Sequence, residues 1–242
     1  MPIKRPQLVN GEIYHIVLRA IEGLKLFRDE KDYLRMIHDL FEFNDENPVS
    51  SAYRHNVAAS IPRTLLGILA EKRKRRLLVE ILAFCLMSNH IHLLVRQFCD
   101  GGISKFMRKI GAGYGGYYNQ KYKRKGRLFD GRYKIVHIRT QEQLKTALVY
   151  IHTNPVVIII PDWKEKGIPG KELQKVLKGL ENYRWSSYPD YLGKKNFPSL
   201  TSREFLTKIM GGVESCREFV NGWLQFKKEL KETSLIKEIG LE

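Results

Sequence analysis

Apolar positions along this chain recur at two periods, and the switches between them mark out the elements. Residues 12–20, EIYHIVLRA, are rich in β-branched and aromatic side chains and alternate in part, which predicts a first strand. In RDEKDYLRMIHDLFEFN (28–44), Tyr33, Ile37, Leu40 and Phe41 recur at helical spacing behind an acidic start that suits the positive end of a helix dipole. LLVEILAFCLMSNHIHLLV (77–95) is one long apolar stretch broken at Ser88-Asn89, and a turn there makes it the two strands of a hairpin. Residues 101–127 begin as a helix and then become rich in Gly, Tyr and Lys/Arg, and GRYKIVHIR (131–139) reads as a further strand. TQEQLKTALVYIHTNP (140–155) opens with Thr140 at an N-cap and Gln143 three residues on, the pattern of a capping box. It stops at Asn154-Pro155, because a residue before proline is pushed out of the α region.

The order β-α-β-β-α-β-α is a split βαβ arrangement. The expected class is therefore α+β: a ferredoxin-like antiparallel sheet with helices on one face. After a short apolar run at 156–160, residues 162–200 are turn-rich around one basic helix, GKELQKVLKGLENY. TSREFLTKI and ESCREFVNGWLQFKKEL give two more helices. The expected division is a domain over 1–160 and a helical extension over 161–242 packing on or beside it. Within the first, NPVSSAYRHNVAASIP (47–62) reads as a loop or insertion, and PRTLLGILAEKRKRR as a short amphipathic helix ending in a basic run.

Charge narrows the class of partner. The 242 residues carry 42 Lys+Arg against 26 Asp+Glu, a net charge of +16, which favours a polyanion. With 43% hydrophobic residues there is enough apolar material for a real core. No run of apolar residues is long enough to span a bilayer, so no membrane partner is expected. The N-terminal segment shows no apolar signal core or cleavage site. Three irregularly spaced cysteines make neither a disulfide framework nor a zinc site. The chain reads as soluble and cytoplasmic with reduced thiols.

Two places carry candidate chemistry. In a strand, alternate side chains share a face, so His90 and His92 point one way while Ile91, Leu93 and Val95 point the other. Two such imidazoles can converge on one ion, and they can equally be two satisfied histidines at a sheet edge. A metal would also need a third protein group or substrate oxygens. In the helix over 141–154, Tyr150 and Asn154 are i and i+4 and stack on one face, beside the apolar stripe of Leu144, Leu148 and Ile151. That face can look at the histidines, or Tyr150 can be a packing aromatic and Asn154 a C-terminal cap. His152 points to another side of the helix and is left out of the set.

The segment GAGYGGYYNQKYKRKGR interleaves tyrosines with cations, the composition of a surface on which bases stack while phosphates are tracked. Tyr118, Lys121, Tyr122, Lys123, Arg124, Lys125 and Arg127 are its candidate nucleic-acid contacts, extended by Arg132 and Lys134. A solvated helix face with core tyrosines has the same composition.

LMSNHIHLLV, GRLFDGRYK, YIHTNPV and YRWSSYPDYL occur in this order, with YHIVLRA and LFRDEKDY near the start. Together they resemble the IS200-like, single-tyrosine (Y1) transposases of the HUH nuclease superfamily, most closely their REP-associated branch, over residues 12–192. The resemblance implies that His90 and His92 ligate Mg²⁺ or Mn²⁺, that Tyr150 is the nucleophile, and that Asn154 stands where the family has a polar group helping to hold the ion. Many relatives have Gln there, and Asn is shorter. It implies cleavage and rejoining of single-stranded DNA, next to a hairpin, through a 5′-phosphotyrosine. It leaves open a homodimer in which a partner supplies the tyrosine. It also moves residues 50–76 towards an insertion and the basic segment towards DNA contact. A domesticated, non-catalytic nucleic-acid-binding module of the same fold is the alternative, and a metal-dependent RNA endonuclease a third. Trp185 and Tyr188 are expected to pin the tail onto the domain.

Overall fold

A computed structural model describes residues 5–47 and 75–230. The expected insertion and amphipathic helix, up to residue 74, lie outside these. The described elements run β1 (Ile13–Arg19), α1 (Glu30–Glu42), β2 (Val79–Met87), β3 (His90–Gln97), α2 (Gly102–Lys121), β4 (Lys134–Ile138) and α3 (Gln141–Thr153). After these come α4 (Val156–Ile159), α5 (Trp163–Lys166), α6 (Gly170–Asn182), α7 (Tyr188–Tyr191), α8 (Glu204–Met210) and α9 (Val213–Leu230). The four strands form one antiparallel sheet in the order β2-β3-β1-β4. With α1 between β1 and β2 and α2 between β3 and β4, this is the ferredoxin-like α+β arrangement that the hydrophobic pattern predicts.

Alternation sorts the strand side chains onto two covered faces. Tyr14, Ile16 and Leu18 of β1 and Ile91, Leu93 and Val95 of β3 join one core with Met36 and Leu40 of α1 and Phe106 and Ile110 of α2. The two helices of the split unit thus lie on one face. The other face carries Leu94 and Cys85, and over it pack Leu144, Leu148 and Ile151 of α3 together with Leu206, Val220 and Leu224 from the C-terminal helices. Each of these aliphatic side chains gains about 1.5–3 kcal/mol from full burial. His90 and His92 belong to this second face.

Helix α2 runs unbroken through the glycine-rich stretch where the sequence predicts a change of character. One reason is packing: a Cβ at Gly113 would collide with the Phe43 ring, so glycine there lets α2 lie close to the end of α1. The edges of the sheet are treated differently. At β2, Leu86 N–H donates to Trp185 O (2.9 Å) and Ser187 N–H to Phe84 O (3.0 Å), so the YRWSS segment caps that edge. Trp185 stacks on Tyr33 at 4.4 Å between centroids, and Tyr188 is buried 5.3 Å from the His152 ring. At β4 the open edge carries an exposed lysine, Lys134.

The helix pair α1/α2 is tied at one end by Asp32, which has no exposed surface. Its carboxylate accepts from Arg28 N–H (2.8 Å), Tyr117 Oη (2.9 Å), Tyr122 Oη (2.7 Å) and Lys121 Nζ (2.7 Å). Burial works to raise its pKa, but the bonds from Lys121, Tyr122, Arg28 and Tyr117 outweigh it and hold the carboxyl below its usual range. Asp32→Ala is expected to cost about 3–5 kcal/mol in urea unfolding, because it strands a lysine and two hydroxyls built around the charge. A folded-state pKa below the unfolded one means this stabilisation is present above about pH 4 and is lost as pH falls further. A loss under about 1 kcal/mol would show that the network is incidental.

Candidate active site

The site lies on the second sheet face, where the two central strands meet α3 and α5. Thr140 caps α3, accepting from Gln143 N–H at 3.2 Å while the Gln143 side chain accepts from Thr140 N–H, the capping box read from sequence. The helix then carries Leu144 and Leu148 onto the sheet and brings Tyr150 over β3 and β1. The Tyr150 ring centroid is 5.7 Å from that of His92 and 6.3 Å from that of His15. The rings of His90 and His92 are 4.9 Å apart. The three groups singled out by sequence therefore converge within one chain.

Asn154 is at the end of α3, buried, with its Nδ2 donating to Tyr150 O at 2.9 Å. It remains helical in its backbone despite preceding Pro155, and the chain continues into α4 instead of leaving in an extended conformation. His152 faces away from the site: it hydrogen-bonds Ser187 Oγ at 2.8 Å, tying α3 to the segment that caps β2.

Two further side chains complete the surroundings. His15, on β1, is hydrogen-bonded through Nε2 to His92 Nδ1 at 3.0 Å. Lys164, on α5, donates to Tyr150 Oη at 3.4 Å, with its Nζ 5.2 Å from the Tyr150 ring centroid. His15 was visible in the sequence only as a polar residue in an apolar strand, two positions from Val17 on the same face. Lys164 carries no signal at all in a lysine-rich chain.

Electrostatics keep the imidazoles neutral. Burial, then the charges of Arg19 and Lys164, push His90 down to about 4, and burial, then the neighbouring histidines and the same two cations, hold His92 well below the ordinary histidine range. Burial alone pushes His15 down to about 3. A neutral imidazole is the form that ligates a metal. His90 Nδ1 is engaged by Asn89 Oδ1 at 2.7 Å, and His92 Nε2 is buried with no hydrogen-bond partner among the described residues. Both rings thus have one nitrogen engaged by a neighbouring side chain, as metal-bound histidines do. Among the described residues no cluster of three or more His, Cys, Asp or Glu side chains could hold an ion. An ion at this pair would depend on oxygens from Asn154, water or substrate.

Residues 49–154 match the model of a family described as IS200-like transposases. Over this segment the chain is similar to that family. A solved structure of a REP-associated tyrosine transposase bound to a REP hairpin is similar at 13% identity, with a TM-score of 0.49, over 84% of this chain and 93% of that one. No curated protein matches. The matched segment contains His90, His92, Tyr150 and Asn154, whereas His15 and Lys164 stand outside it.

The basic stretch of this segment divides in two. Tyr118 has no exposed surface and donates its hydroxyl to Lys25 O at 2.8 Å, so it is a core residue and offers no face to a base. Lys121 bridges Asp29 and Asp32, each at 2.7 Å, so its charge is engaged within the protein. Tyr122 is half-buried, bonded to Asp32 and covered by the Arg28 guanidinium at 4.3 Å. Arg124 folds onto the loop, donating to Arg127 O at 2.7 Å. Burial corrects the expectation for Tyr118, whereas Lys121, Tyr122 and Arg124 are partly exposed and engaged by groups of the protein itself. Lys123, Lys125, Arg127, Arg132 and Lys134 are exposed, the last on the open sheet edge. Among the described residues no helix is long and apolar enough to cross a membrane.

Proposed function

We propose that the protein is a Y1-type nuclease and transposase that cleaves and rejoins single-stranded DNA beside a hairpin, with Tyr150 as nucleophile. The observation that carries this reading is the meeting of Tyr150 with His90 and His92 on one sheet face, 5.7 Å from ring to ring in the nearer case. A non-catalytic binding module has no need of that meeting. In the reaction, Tyr150 Oη forms a bond to phosphorus as the bond to the 3′ oxygen breaks. The products are a 5′-phosphotyrosine and a 3′-hydroxyl, the phenolic proton being made up on the leaving oxygen through solvent. The bond energy is kept in the phosphotyrosine, so the reverse attack by a 3′-hydroxyl rejoins the strand without ATP.

His90 and His92 would hold Mg²⁺ or Mn²⁺, with Asn154 at the end of α3 as a further ligand. Such an ion, when bound, polarises a phosphate oxygen and aligns it for in-line attack. Lys164 places positive charge at the hydroxyl where negative charge develops on attack, and Arg19 adds a second cation beside the pair. The exposed cations Lys123, Lys125, Arg127, Arg132 and Lys134 would carry the DNA backbone.

The test is covalent capture. Incubation with a single-stranded hairpin DNA and Mn²⁺ should give an adduct that survives denaturation and migrates as protein plus DNA. Cleavage without any adduct would point instead to a hydrolytic nuclease. Lys164→Met is expected to slow single-turnover adduct formation by about tenfold to a hundredfold while leaving hairpin affinity within about threefold. An affinity loss as large as the rate loss would place Lys164 in binding instead.

A further inference from the structure

We propose that His15 is a positioning residue: it accepts the Nδ1 proton of His92 and thereby turns the Nε2 lone pair of His92 outward as the ligand. This rests on the metal reading above and assigns a role in it to a residue of β1, outside the matched segment.

The geometry is specific. The His15 and His92 rings are coplanar to 2°, their centroids are 5.2 Å apart, and the joined nitrogens are 3.0 Å apart. Nitrogens that close between centroids that far apart lie between the rings, so the contact is an edge-to-edge, in-plane hydrogen bond and not a face stack. Both residues sit on the central strands of the sheet. His15 pairs across the ladder with Leu94 and Val17 with His92, so the two histidines are diagonal neighbours on one face, where the backbone fixes their approach. Both side chains are almost wholly buried, His15 at 1% and His92 at 2% exposure, so no bulk water competes for the shared proton.

One proton lies between the two nitrogens, and its assignment decides what His92 can do. If His15 donates, His92 keeps its proton on Nε2 and presents an N–H, which cannot ligate a cation. If His92 donates from Nδ1, its Nε2 carries a lone pair. The outer atoms, His92 Nε2 and His15 Nδ1, are both buried without partners among the described residues, so the protein leaves one donor and one acceptor unmet either way. A cation at His92 Nε2 satisfies the unmet acceptor in the second arrangement alone. His15 is thus to His92 what Asn89 is to His90, an acceptor on the far nitrogen that frees the near one.

The experiment measures Mn²⁺ binding by electron paramagnetic resonance on the full chain, without DNA, for wild type, His15→Gln and His15→Phe. Glutamine keeps an acceptor oxygen, and phenylalanine keeps a ring without one. Expected are an affinity within about threefold of wild type for His15→Gln and a loss of about ten- to a hundredfold for His15→Phe. In parallel, long-range ¹H–¹⁵N spectra of ¹⁵N-histidine wild type, saturated with Mg²⁺, should show the His92 proton on Nδ1. That measurement needs no variant to fold. A His92 proton on Nε2 under Mg²⁺, or a well-folded His15→Phe that binds Mn²⁺ as wild type does, overturns the role of His15 and leaves the metal reading standing. Wild type that binds no Mn²⁺ overturns the metal reading itself, and the proposal with it.

Discussion

Tyr150→Phe forms no covalent adduct with a hairpin substrate, and strand cleavage falls by at least about a thousandfold. The substitution removes one oxygen from a side chain that is 6% exposed. The ring stays against His92 and His15, so packing is retained, and the hydroxyl gives up its weak, 3.4 Å hydrogen bond with Lys164. Stability should therefore change by no more than about 1 kcal/mol, the usual size of a single hydrogen bond. Hairpin affinity should be unchanged, since the cations that would carry the backbone are elsewhere. A denaturing gel, a melting curve and a binding isotherm separate these quantities. An adduct of wild-type intensity in Tyr150→Phe would remove Tyr150 from the reaction and require one of the other eleven tyrosines as nucleophile.

His90→Ala is expected to weaken Mn²⁺ binding by about a hundredfold or more and to slow adduct formation in proportion, with partial recovery at high Mn²⁺. His90 is the cleaner choice of the pair. It is half-buried and leaves the strand core intact, whereas His92 also anchors His15. The pH dependence has a definite sign. Protonated imidazole cannot ligate, and burial keeps His90 neutral down to about pH 4. Mn²⁺ binding should accordingly persist below the ordinary histidine range near 6.5 and be lost as pH falls through about 4. A wild-type midpoint near 6.5 would mean that the imidazoles are hydrated, contrary to their burial. Unchanged Mn²⁺ affinity in His90→Ala would exclude it as a ligand.

What could be read before any coordinates follows from local rules. Alternation placed Ile91, Leu93 and Val95 in one core and both histidines on the other face, because side-chain direction in a strand has a period of two whatever lies around it. Thr140 and Gln143 announced the start of α3 through bonds that reach only three residues. The element order predicted the sheet because few topologies satisfy it. The basic stretch was misread at Tyr118, which is core, and its composition did not show that Lys121, Tyr122 and Arg124 bond within the protein, because composition does not say which way a helix faces. Asp32 on α1 engages two of these four polar tips, Lys121 and Tyr122, while Lys25 O and Arg127 O accept from Tyr118 and Arg124.

The sequence by itself determined the histidine pair, the tyrosine and the fold that could join them, since each depends on residues close together in the chain. Tertiary structure alone decided three things. It put Tyr150 beside this chain's own histidines, a matter of how α3 docks. It brought in Lys164 from the C-terminal extension. And it set His15 against His92 across 77 residues, through strand register that no local pattern encodes. The physical reason is common to all three. Side-chain direction is fixed by backbone periodicity, but a partner's position is fixed by which faces bury each other, and that is settled only when the whole sheet and its two helical layers close.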